Sequence, residues 1–242
     1  MVFTVSERDR LRRDLVGAAE GDPRVVGAAL TGSAAVGAED RWSDIDLALS
    51  VGREIDAVVV DWTALMYARG AVGHLDVRRG AVLFRVFLMR STLQVDVAFW
   101  PSDEFGATGP TFRLVFGEAN ELPQAGQPDR GELVGLAWLY ALHARSSIAR
   151  GRVWQAVYMI NGMRDHVMSL WCLREGVNAV QGRGLDDLRD ADAFAGTLVS
   201  STRPGELLRA FQALTGLLLG EISAPELREA VRALAHGAAG TR

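Results

Sequence analysis

The sequence predicts an α/β first half followed by an all-helical second half. Three observations carry this. Strand-like alternation is concentrated before about residue 100. Residues 117–131, GEANELPQAGQPDRG, are rich in Gly, Pro, Gln and acids, as linkers are. Beyond them strand signals almost vanish and helical periodicity takes over. The expected domains are residues 1–122 and 129–242.

Residues 6–19 read as an amphipathic helix, with Ser6 as N-cap and Asp9 in the capping-box position. Gly21-Asp22-Pro23 breaks it. Residues 25–31 then read as a short buried strand ended by Gly32-Ser33, and residues 34–38 as a short helix. Residues 44–50 alternate acid or small with apolar, which is strand-like. Residues 54–69 read as a helix. Three strands are expected at 74–78, 82–89 and 93–99, the last two joined by the hairpin-length link Arg90-Ser91-Thr92. In the second half Asp129 begins a helix with Glu132 in the box position, and residues 152–174 form another after Gly151. Residues 204–219 and 225–235 complete the set, each with proline in its first turn.

Composition narrows the function classes. The 242 residues are 49% apolar and 23% charged, an ordinary globular balance with no apolar run long enough to span a bilayer. The start shows no basic region followed by an apolar block, so no signal peptide is expected. The single cysteine, Cys172, excludes an internal disulfide or a cysteine metal cluster. A cytoplasmic location is the expectation, with no membrane partner. Net charge is −4, whereas a protein that follows a nucleic-acid backbone shows a basic excess. Arg8, Arg10, Arg12 and Arg13 could form a local basic patch, but a solvated helix face is the simpler expectation. Small-molecule substrates are therefore favoured over nucleic acid.

The chemistry concentrates in TGSAAVGAEDRWSDIDLALS, residues 31–50. Gly32 allows close backbone approach, and a helix opening at Ser33 offers free N–H groups suited to a phosphate. Asp44 and Asp46, two apart on a strand, share one face, while Ile45, Leu47 and Leu49 face a core. Adjacent carboxylates repel, and a divalent cation removes the conflict. In LQVDVAF, residues 93–99, Asp96 is the one acid on the polar side of an alternating strand. If that strand pairs beside Asp44 and Asp46, the three carboxylates meet the requirement for two-metal phosphoryl or nucleotidyl transfer. An EF-hand loop from Asp44 fails at Ala48, Leu49 and Ile55. The Walker loop, the dinucleotide fingerprint and the serine-hydrolase elbow are absent.

Gly32-Ser33, Asp44-Ile45-Asp46-Leu47 and Val95-Asp96-Val97 resemble the pattern of the DNA polymerase β-type nucleotidyltransferase superfamily. The two-domain layout is similar to that of the antibiotic nucleotidyltransferases acting on kanamycin, streptomycin and lincosamides. The resemblance covers roughly residues 25–100. It implies an α+β fold: a mixed sheet flanked by helices, followed by an all-α bundle. It further implies Mg²⁺-dependent transfer of a nucleoside monophosphate, usually from ATP, to a small-molecule hydroxyl, with two metal ions and release of pyrophosphate. Asp44, Asp46 and Asp96 become metal ligands, and Gly32, Ser33 and Ser43 triphosphate contacts. Some of these resistance enzymes carry an arginine three residues after the motif serine; Val36 stands there, and Arg41 is the substitute considered. A homodimer is plausible by the same resemblance. The alternative is an antitoxin-like or regulatory protein that acts on or binds a protein partner.

On the helix at 152–174, Val153, Val157, Ile160, Val167 and Trp171 form an apolar stripe that contains Arg164, for which an ion pair is expected. A neighbouring face carries Trp154, Tyr158, Asn161 and Asp165, which suits a cationic or hydroxyl-rich acceptor.

Overall fold

A computed structural model describes residues 2–124 and 126–237, the side chains of 236 and 237 excepted. Residues 238–242, assigned to the helical half from sequence, lie outside the described residues. The chain forms two compact units, Met1–Ala125 and Gly126–Arg242.

The first unit opens with α1 (Val5–Gly21). Its cap is Thr4, not Ser6. Thr4 Oγ1 accepts the Glu7 N–H at 3.2 Å, and Glu7 Oε2 accepts the Thr4 N–H at 2.7 Å. A glutamate reaches back to the cap backbone more readily than the shorter Asp9 would. Then follow β1 (Val25–Thr31), the single turn α2 (Gly32–Ala35), β2 (Ile45–Val51), α3 (Ile55–Ala68), β3 (Ala71–Arg79), β4 (Val82–Met89) and β5 (Gln94–Pro101). Beyond β5 lie β6 (Gly106–Ala107), β7 (Phe112–Phe116) and β8 (Asn120–Glu121).

Six strands form one sheet in the order β3-β4-β5-β2-β1-β7. The β2–β5 pair is parallel and the other pairs are antiparallel, so the sheet is mixed. Strand β7 was not anticipated. It is a mostly exposed edge strand against β1, and its FRLVF stretch has too little burial pattern to stand out.

Alternation decides the two faces. Ile45, Leu47, Val95, Val97 and Phe99 join Leu15, Val58, Trp62 and Met66 in the core beneath α1 and α3. The opposite face carries Ala29, Ala48, Val82 and Ala98 against Phe105. At the start of β2 and β5 that second face carries carboxylates instead.

The β4–β5 hairpin closes through Met89 N–H to Leu93 O (2.9 Å) and Thr92 N–H to Met89 O (2.8 Å), with Thr92 at φ +66°. A β-branched residue is costly in that left-handed region. Thr92→Gly is expected to raise unfolding free energy by about 1 kcal/mol, read from the urea midpoint. A lower midpoint would contradict this.

The second unit consists of α4 (Arg130–Ala149), α5 (Val153–Glu175), two 3₁₀ turns (Leu185–Asp187 and Ala191–Thr197), α6 (Pro204–Glu221) and α7 (Pro225–Gly237). Asp129 caps α4 by accepting the Glu132 N–H at 2.7 Å. Its core joins Ala137, Ile160, Met163, Leu170, Phe211 and Leu214. Arg164 is buried at 8% exposure, but the expected ion pair is not what satisfies it. Its Nε donates to Thr197 Oγ1 (2.9 Å), Nη2 to the Thr197 carbonyl (2.5 Å), and Nη1 to Asn161 Oδ1 (2.7 Å). Neutral acceptors, two from a 3₁₀ turn and one from α5 itself, do what a carboxylate was expected to do. Burial holds this guanidinium below its ordinary pKa. Among the described residues no helix is long and apolar enough to cross a membrane.

Candidate active site

Parallel pairing of β2 with β5 sets Asp46 directly opposite Asp96. Neighbouring strands lie about 4.8 Å apart, so in-register carboxylates on one face are side by side. Asp44, one residue before β2, keeps the same parity. The three half-buried carboxylates each offer an oxygen, and these oxygens lie within 4.8 Å of one another. Ligands at about 2.1 Å from a magnesium ion spread to about 4.2 Å, so a small contraction suffices. An all-oxygen, all-carboxylate donor set suits a hard cation such as Mg²⁺.

Electrostatics mark Asp96 in particular. Burial pushes its carboxyl above the ordinary carboxylate range, and repulsion from Asp44 adds to that; a hydrogen bond from Gln94 opposes it. Gln94 Nε2 donates to Asp96 Oδ1 at 3.0 Å and to Asp44 Oδ2 at 3.4 Å. Gln94 was not singled out from the sequence. The available signal was its place two residues before Asp96 on the same strand face.

Gly32 closes the other side. It sits at φ +62°, and a Cβ built there would lie 2.2 Å from Asp46 Oδ2. The Gly-Ser turn therefore rests against a carboxylate fourteen residues on, a contact that a larger residue could not make. Ser33 follows within α2. Because α2 is one turn long, it offers N–H donors rather than a sizeable dipole.

The loop that delivers Asp44 is braced by α1. Arg8, expected on a solvated face, is 3% exposed. Its Nη1 donates to the carbonyls of Asp40 (2.6 Å) and Ser43 (3.3 Å), and its Nε lies 3.5 Å from Glu39, which also pairs with Arg12. Ser43 Oγ accepts the Asp40 N–H (2.8 Å) and donates to Asp40 Oδ1 (3.1 Å). The Ser43 hydroxyl thus holds the loop together. Arg41 sets its guanidinium 4.5 Å from the ring centroid of Trp42, which is 68% exposed. Arg8→Gln is expected to cost about 2 kcal/mol of stability and to weaken Mg²⁺ binding in calorimetry. Unchanged Mg²⁺ affinity in a folded variant would show that the brace does not position Asp44.

In the helical unit, Trp154, Tyr158, Asn161 and Asp165 are all exposed on one face of α5. Asn161 Oδ1 is already engaged by Arg164.

No family model matches the chain, and no curated protein matches it. Among solved structures, the chain is similar to an aminoglycoside 6-adenyltransferase from Bacillus subtilis. That likeness has 11% identity and a TM-score of 0.45, covering 94% of this chain and 96% of that one. A likeness at that level does not carry an activity from one protein to the other.

Proposed function

We propose that the chain is a nucleotidyltransferase that moves a nucleoside monophosphate from an NTP, ATP in the first instance, to a hydroxyl of a small molecule. The observation that carries this is the convergence of Asp44, Asp46 and Asp96, with Gly32 against Asp46. Asp44, Asp46 and Asp96 would hold two magnesium ions, which when bound would neutralise triphosphate charge and acidify the attacking hydroxyl. The N–H groups at Gly32-Ser33, with the Ser33 hydroxyl, contact the triphosphate beside Asp46. Asp96 receives the proton of the acceptor hydroxyl, whose oxygen bonds to the α-phosphorus as the bond to the bridging oxygen breaks. Pyrophosphate leaves. The chain's contribution is positioning and preorganised charge.

Residues 1–122 are the catalytic domain in this reading, and residues 129–242 add contacts to the acceptor beyond those made by the catalytic domain itself. Trp154 and Tyr158 are the candidates there for stacking on the acceptor, with Asn161 and Asp165 beside them. Arg41 and Ser43 stay in the nucleotide set only if ligand binding rearranges the loop that now engages them. The test is pyrophosphate release with Mg²⁺, ATP and a panel of hydroxylated antibiotics. Release that requires both metal and acceptor, and stops on chelation, is the expected result. Calorimetry showing no Mg²⁺-dependent nucleotide binding would overturn the assignment.

A further inference from the structure

We propose that the open face of β3 and β4 beside Asp96 binds the acceptor. We further propose that the acceptor is elongated and largely apolar, with its hydroxyl at one end and an anionic group at the other. This rests on the nucleotidyl-transfer reading of the carboxylate site.

A cleft of about 250 Å³ runs from Thr31, at the triphosphate side, past Asp46 and Asp96 and over Val86, Phe84 and Val77 to Arg79. A second depression of about 320 Å³ shares Val86 and extends over Leu75, Leu88 and Gln94. Together they are of the size that holds a small ligand. Register places Asp96, Val86, Leu75, Phe84 and Val77 on one face, since Val86 pairs with both Asp96 and Leu75, and Phe84 with Val77; His74 and Phe87, of the other parity, border the second depression. The floor is apolar yet open: Leu75 is 64% exposed and Leu88 53%.

Topology assigns the reactants to sides. Gly32-Ser33 follows β1 and rests against Asp46, on the side of β2 away from β4. The triphosphate held there leaves the β5-β4-β3 side for the attacking molecule, with Asp96 between the two. Arg79 ends that side. Its guanidinium lies 5.7 Å from the Phe84 ring centroid, and it makes no ion pair among the described residues. Asp76, on the other face of β3, is already paired with Arg85 at 2.6 Å. Arg79 lies four residues along β3 from Leu75 and two strands from Asp96, which is about 13 Å along the sheet and about 10 Å across. An anion at that distance from the reacting hydroxyl meets an unpaired cation. A polycation would desolvate its amines on an apolar floor and face Arg79 as well.

The test is a charge series on one body: 10-hydroxydecanoate, 1,10-decanediol and 10-amino-1-decanol. Each is titrated into the full chain with Mg²⁺ and a non-hydrolysable ATP analogue. The carboxylate is expected to bind about 5-fold or more tighter than the diol, and the amine weakest. Arg79→Gln should flatten the series, Arg79→Lys should retain it, and affinity for the nucleotide should stay within about twofold in both. Equal binding across the series, preference for the amine, or no binding of any member would overturn the inference. Loss of nucleotide affinity in Arg79→Gln would also overturn it, by placing Arg79 on the triphosphate. If the wild type binds no Mg²⁺–nucleotide, the nucleotidyl-transfer reading fails and the acceptor assignment fails with it. A flat series with nucleotide binding intact overturns this inference alone.

Discussion

Asp96→Asn is expected to abolish nucleotidyl transfer while making the metal-free protein more stable. Burial and the neighbouring Asp44 raise the Asp96 carboxyl above its ordinary pKa, so the fold holds the ionised form at a cost. With the folded pKa above the unfolded one, the favourable contribution belongs to the protonated carboxyl. It is present at low pH and is lost as pH rises through the folded pKa. Metal-free wild type should therefore match the variant in acid and fall below it toward neutral pH, by roughly 0.5–2 kcal/mol. Thermal unfolding at several pH values reads this directly. Added Mg²⁺ should reverse the order, because ligand binding stabilises only the protein that retains the ligand set. Mg²⁺ affinity of the wild type should weaken as pH falls, since a proton on Asp96 in the metal-free site competes with the metal. A variant that keeps more than about a hundredth of the wild-type rate would exclude Asp96 from the chemistry.

Gly32→Ala is expected to lower turnover about a hundredfold or more, although it adds one methyl group. Two costs can be separated. The backbone sits at φ +62°, where an L-residue pays roughly 1–2 kcal/mol. The added Cβ would also lie 2.2 Å from Asp46 Oδ2, so the carboxylate or the turn must move. A displacement of about 1 Å in a positioned catalytic group can cost about 10²-fold. Gly37 supplies the control, with φ +69° and nothing within 4 Å of a built Cβ. Gly37→Ala should lose similar stability with turnover kept within about twofold, whereas Gly32→Ala should lose both. Equal turnover in the two variants would mean that close packing of Gly32 on Asp46 is irrelevant to the reaction.

Much of the candidate site was legible because it is written in local pattern. Asp44 and Asp46 share a face at period two, and Asp96 interrupts an apolar alternation; both are properties of single strands. The linker composition and the helix starts at Asp129, Pro204 and Pro225 are equally local. Where local reading erred, a competing contact decided, local at the start of α1 and long-range for the two arginines. The Thr4–Glu7 box displaced Ser6 and Asp9 as the start of α1. Arg164 found Thr197 and Asn161 in place of an acid. Arg8 left the solvated face because the carbonyls of Asp40 and Ser43, more than thirty residues on, needed a donor.

By itself, then, the sequence determined which residues could be acidic ligands and which strand face each occupies. Only the tertiary structure decided that β2 and β5 are parallel neighbours with Asp46 opposite Asp96. It alone seated Gly32 on Asp46, Gln94 between two carboxylates, and Arg79 at the end of an open apolar floor. The physical reason is that side-chain alternation is set within one strand, whereas strand order and register are set by long-range pairing of whole faces.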